Sequence, residues 1–164
     1  MLPCCQRCTG LYAGAALAAL LHLWLRPKLS GRFLEVHGAF LLAMVPFGFH
    51  WVAQGPVLRT LIGVLFGFGV VTFLWLPVPS RARVPAAPPR SQSATWHYFL
   101  SLGTTLIVLP LAAKLGGTAA GCILSALILC GAVALVSLAL ADVGLGLRGT
   151  VRWLREKARP RLEA

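Results

Sequence analysis

The stretch 58-LRTLIGVLFGFGVVTFLWL-76 decides how the rest of the chain is read. Its one charge, Arg59, lies at its edge. As a helix it covers about 28 Å, close to the ~30 Å hydrocarbon thickness of a bilayer. An isolated strand would leave its backbone groups unpaired in lipid, so the run predicts a transmembrane helix.

Similar runs lie on both sides. Upstream are about 9–25, TGLYAGAALAALLHLWL, and about 34–53, LEVHGAFLLAMVPFGFHWVA. Downstream are about 96–113, WHYFLSLGTTLIVLPLAA, and about 117–141, GTAAGCILSALILCGAVALVSLALA. The prediction is an all-α polytopic bundle of about five spans, with Pro46 and Gly48 kinking the second and Pro110 the fourth. Composition agrees: 58% of residues are hydrophobic and only 12% charged, about half the charged fraction of a soluble domain. The first run follows a single Arg7 and lacks the basic leader of a secretory signal, so it is expected to persist as a span.

The net charge of +11 does not read as a nucleic-acid face, because the basic residues lie in blocks between apolar runs. Arg26, Lys28 and Arg32 follow span one, and Arg81, Arg83 and Arg90 follow span three. Arg148, Arg152, Arg155, Lys157, Arg159 and Arg161 follow span five. With five spans these twelve share one side and Arg7, Arg59 and Lys114 the other. The positive-inside rule then puts the N-terminus out and the C-terminus in. Trp24, Trp51, Trp75 and Trp96 fall at span ends, where indole rings favour the interface.

Four regions follow: a three-span part (1–76), a Pro-rich cytoplasmic linker (77–95), a two-span part (96–147) and a basic cytoplasmic tail (148–164). The tail reads equally as an amphipathic helix on anionic lipid, with Val151, Leu154 and Ala158 on one face, or as a solvated stop-transfer segment.

Chemistry concentrates at the start. Cys5-Gln6-Arg7-Cys8 is a CxxC followed by Thr9, read as the N-cap of span one. Sulfurs at the positive end of a helix, beside an arginine, favour thiolate. Three readings stay open. One is a redox pair or structural disulfide of Cys5 and Cys8 on the oxidising side. The second is a metal site, zinc for example, needing Cys4 and His50 as further ligands. The third is a pair of small residues closing a helix end. Nearby, His50, Gln54 and Arg59 form a candidate outer-face polar cluster, with His50 and Gln54 one helical turn apart. Cys122 is a further candidate to approach Cys8, whereas Cys130 reads as inert.

Three small-xxx-small pairs, Gly10/Gly14, Gly63/Gly67 and Gly117/Gly121, predict close packing of spans one, three and five near the outer face. His22 and His37 read as interfacial anchors rather than a proton relay. Asp142 is expected to pair with an arginine such as Arg148. No Ser/His/Asp set, phosphate loop or carboxylate pair is legible, and no mid-span charge argues for transport.

The segment CQRCTGLYAG (5–14) resembles the C-x-R-C-T-G-[IL]-Y-x-G motif of a family of small bacterial membrane proteins known only as domain of unknown function 2085. A second block, PFGFHWVAQGPVLRTLIGVLFGFG, is similar to that family's other recurring pattern, with Pro46, His50, Gln54, Arg59, Gly63 and Gly67 in the matching places. The resemblance covers about residues 3–76 and implies a multi-pass protein of the bacterial plasma (inner) membrane. It departs in two ways: the family usually carries an acidic residue where this chain has His50, and a Cys-His segment upstream of the CxxC, where this sequence reads Met1-Leu2-Pro3 before Cys4. The family label supplies no activity. Two functions remain: an extracytoplasmic thiol site for redox or metal handling, or a non-enzymatic assembly protein. The second would bind other membrane proteins, or a second copy of itself, through its Gly-rich helices and basic tail.

Overall fold

The computed structural model describes residues 5–49, 51, 53–76, 92–115 and 117–158. Five helices make up the described residues, with no strand among them: α1 (Gln6–Trp24), α2 (Gly31–Gly48), α3 (Pro56–Trp75), α4 (Gln92–Leu115) and α5 (Thr118–Ala158). Three of them, α3, α4 and α5, are long and apolar enough to cross a membrane. The first helix falls outside that class for a physical reason. It is rich in Ala and Gly, carries Gln6 and Arg7 in its first turn, and buries most residues from Thr9 to Ala19 against other helices, so little of it needs to be lipophilic.

The α1–α3 contact organises the bundle. A Cβ on Gly10 would meet the Thr60 carbonyl, and one on Gly14 would lie 2.8 Å from the Val64 carbonyl oxygen. Reciprocally, a Cβ on Gly63 would meet the Arg7 carbonyl and one on Gly67 the Leu11 carbonyl. Both sets advance together along the two chains, so α1 and α3 run parallel, backbone to backbone, as such glycine grooves permit. The second helix returns antiparallel: Gly38 faces Phe73, while Gly69 faces Leu41 and the His37 carbonyl. Arg26, with φ of 46°, takes the left-handed conformation that helps turn the chain before Pro27, and Ser30 Oγ accepts from the Phe33 N–H to cap α2.

Several boundaries differ from those read in the sequence. The cap of α1 is Cys5, not Thr9; Thr9 lies in the first turn and its hydroxyl bonds back to the Cys5 carbonyl at 3.2 Å. Pro46 sits in the last turn of α2, which ends at Gly48 rather than near 53, so it marks a terminus instead of a mid-span kink. At the other side of the linker, α4 begins at Gln92, inside the predicted linker, whose residues 77–91 lie outside the described residues. The fifth helix does not stop near 141. It continues to Ala158, so the tail is helical to that point, and its 41 residues extend about 60 Å at 1.5 Å per residue. Residues 159–164 lie outside the described residues.

The predicted third groove is not used. Gly117 and Gly121 have nothing within 4 Å of an added Cβ, whereas Gly131 would meet the Tyr12 carbonyl. The fifth helix therefore packs on α1 through Gly131. Asp142 does not pair with Arg148: its Oδ1 is buried without a hydrogen-bond partner. Six residues along a helix put the two side chains on different faces, since only neighbours three or four apart meet.

The other end of α1 holds a buried polar chain. His22 Nε2 lies 3.1 Å from Thr72 Oγ1, Thr72 Oγ1 lies 3.4 Å from Tyr98 Oη, and Tyr98 Oη lies 3.0 Å from His37 Nε2. His37 Nδ1 is 2.8 Å from the Phe33 carbonyl, so Nδ1 donates and Nε2 accepts from the tyrosine. His22 and His37 are thus interior groups at the two ends of a chain that links α1, α3, α4 and α2, not interfacial anchors. Trp24, Trp51 and Trp96 are largely exposed, while Trp75 stacks on His22.

Candidate thiol site

The open end of α1 carries the thiols. Cys5 is exposed with extended backbone (φ −60°, ψ 150°), and its sulfur accepts from the Cys8 N–H at 3.4 Å. Cys8, one turn into the helix, is half-buried. The two sulfurs share a hydrogen bond at 2.9 Å. A cysteine at an N-cap points its side chain at the free N–H groups of the first turn, which is why CxxC brings both sulfurs to one point here. The Cys5 thiol is held below its ordinary value, first by the Cys8 side chain and then by the Cys8 N–H, with the Arg7 N–H and Arg7 charge adding less; partial burial opposes them.

Arg7 ties this end to the turn after α2. Its Nη2 donates to Gln54 Oε1 at 2.8 Å and to the Phe47 carbonyl at 3.1 Å, and Gln54 Nε2 donates to the same carbonyl at 2.6 Å. Arg7 Nε is buried without a partner. Of the predicted outer cluster, Gln54 therefore joins the cysteine end through Arg7. Arg59 stands exposed in the first turn of α3, on the same end because α1 and α3 are parallel. His50 and Cys4 lie outside the described residues. Among the described residues no group of three or more His, Cys, Asp or Glu could hold a metal ion. Cys122 and Cys130 are both exposed on α5.

Two features escaped the sequence reading. Gly131 has Leu127 and Leu135 four residues away, so it forms no small-xxx-small pair. Tyr98 and Thr72 became visible only when three-dimensional packing set their hydroxyls between two histidines.

Among the described residues, fold and site define an all-helical bundle with three helices of membrane-crossing length and a dithiol at one end. No protein-family model, curated protein or solved structure matches this chain.

Proposed function

We propose that this is a five-span membrane protein whose Cys5 and Cys8 form an extracytoplasmic redox dithiol. The observation that carries the redox reading is the 2.9 Å approach of the two sulfurs at the open end of α1. The chemistry is thiol–disulfide exchange. Exposed Cys5, its thiolate favoured, attacks one sulfur of a partner disulfide and expels the first thiolate, which takes up a proton. Cys8 then attacks Cys5 Sγ, closing the internal disulfide and releasing the second partner thiol. Two electrons pass to the partner, and the dithiol loses two protons.

Topology is supported by the basic residues, twelve against three, and by the parallel register of α1 and α3 with α2 returning beside them. The motif resemblance of residues 3–76 supports a bacterial plasma-membrane location. A metal reading has less support: two thiols supply half a zinc coordination shell, and an added cation would sit beside the Arg7 charge. The assembly reading loses surface as well, because Gly10, Gly14, Gly63 and Gly67 are occupied within the chain.

The test is to equilibrate detergent-purified protein in thiol/disulfide buffers and map the products by mass spectrometry. The expected product is a Cys5–Cys8 peptide lighter by two hydrogen atoms, in proportions that follow the buffer potential, with no metal co-purifying. Cysteines that stay reduced at every oxidising ratio, or a stoichiometric bound metal, would reject the redox reading.

A further inference from the structure

At the thiol end, positive charge is uncompensated. The chain has four acidic residues, Glu35, Asp142, Glu156 and Glu163, and none lies in the first turn of any of the five described helices. Among the described residues, Arg7 makes hydrogen bonds only to neutral groups, the Phe47 carbonyl and Gln54, and its Nε–H is buried with no acceptor. Arg59 adds an exposed charge at the same end. A guanidinium offers donors in a fork suited to carboxylate, and Gln54 holds this one in place beside the dithiol. Such a setting attracts an anion and repels a cation approaching the same sulfurs.

We propose that the disulfide partner of Cys5 and Cys8 is anionic, a carboxylate-bearing thiol or disulfide that Arg7 selects by charge. This rests on the redox reading above and adds its substrate class. Arg7 acts as a specificity residue: the carboxylate lies against its guanidinium while the partner's sulfur meets Cys5 Sγ. The bond changes are those of the exchange already described, and Arg7 neither gains nor loses a proton.

The experiment measures second-order rates of Cys5–Cys8 oxidation by three small aliphatic disulfides in nonionic detergent: dithiodipropionate (anionic), hydroxyethyl disulfide (neutral) and cystamine (cationic). Each rate is normalised to that reagent's rate with free dithiothreitol. At low salt the anionic reagent is expected to lead the cationic one by about tenfold, the size of a charge interaction over several ångströms near a wet surface. The bias should shrink as salt shortens the screening length, persist in Arg7→Lys and fall below about threefold in Arg7→Gln. Equal normalised rates in the wild-type protein, or a bias unchanged in a folded Arg7→Gln, would overturn the charge selection while leaving the redox reading standing. Should Arg7→Gln fail to fold, the wild-type series and its salt dependence decide alone. If no reagent closes the disulfide, the redox reading fails and this inference falls with it.

Discussion

Gly63→Ala is the sharpest perturbation of the packing that carries the thiol site. The new Cβ would meet the Arg7 carbonyl oxygen and lie 3.0 Å from the Leu11 nitrogen and 3.2 Å from the Gly10 Cα. All three obstacles are backbone, so no side-chain rotation relieves them. Restoring ordinary contact requires α1 and α3 to part by about 1 Å, and a gap of ~0.5–1 Å forfeits a quarter to a half of the dispersion attraction across it. Overpacking of this kind costs about 1–3 kcal/mol, and with rigid backbone on the opposing side the expected loss is ~3 kcal/mol. Gly121→Ala is the matched control: nothing lies within 4 Å of its added Cβ, so its stability should stay within ~0.5 kcal/mol of wild type. The assay is reversible unfolding in mixed micelles, followed by circular dichroism. Because the clash falls on the Arg7 carbonyl, the Cys5 alkylation rate should change in the same variant. A Gly63→Ala protein as stable as Gly121→Ala would refute the backbone-to-backbone packing.

Other outcomes follow from single contacts. Tyr98→Phe removes the hydroxyl donated to His37 Nε2 and leaves that nitrogen buried and unpaired, so it should cost about 1–2 kcal/mol in the same titration; no change would mean the polar chain is not holding α4. Gly131→Ala should lower the unfolding midpoint by pushing α5 off α1 at Tyr12, while Gly144→Ala, with open space around it, should not; equal midpoints would reject the assigned α1–α5 contact. The rate of Cys5 alkylation should rise through a midpoint below pH 9.0, the ordinary thiol value, because hydrogen bonding favours the thiolate. In Cys8→Ala, which removes the largest cause, the midpoint should move up; an unmoved midpoint would show that Cys8 does not stabilise the Cys5 thiolate.

Much of the architecture was legible in the sequence because lipid enforces a simple code. Runs of apolar length announce helices, and Gly10/Gly14 and Gly63/Gly67 announced a close approach that α1 and α3 make. The same code misled at Gly117/Gly121, where the spacing is right but no neighbour arrives. It was blind to Gly131, whose contact depends on where Tyr12 lies rather than on any local pattern. The α1 cap moved from Thr9 to Cys5 because a cysteine sulfur can accept the first-turn N–H groups as a hydroxyl does, an option that capping preferences rank low. That shift matters for function, since it puts Cys5 outside the helix and Cys8 within it. The histidines were visible as residues, but their burial followed from Thr72 and Tyr98, distant in sequence. Arg7–Gln54 was half legible: both residues stood out, and only the fold joined them.

The central claim is that Cys5 and Cys8 face the outside and alternate between dithiol and disulfide. It is tested most directly by labelling intact cells with a membrane-impermeant maleimide, before and after a mild reductant, and mapping the labelled peptides. The account predicts external labelling of Cys5 and Cys8 that rises after reduction. Cysteines unreactive from outside under both conditions, or labelled equally in both, would contradict it.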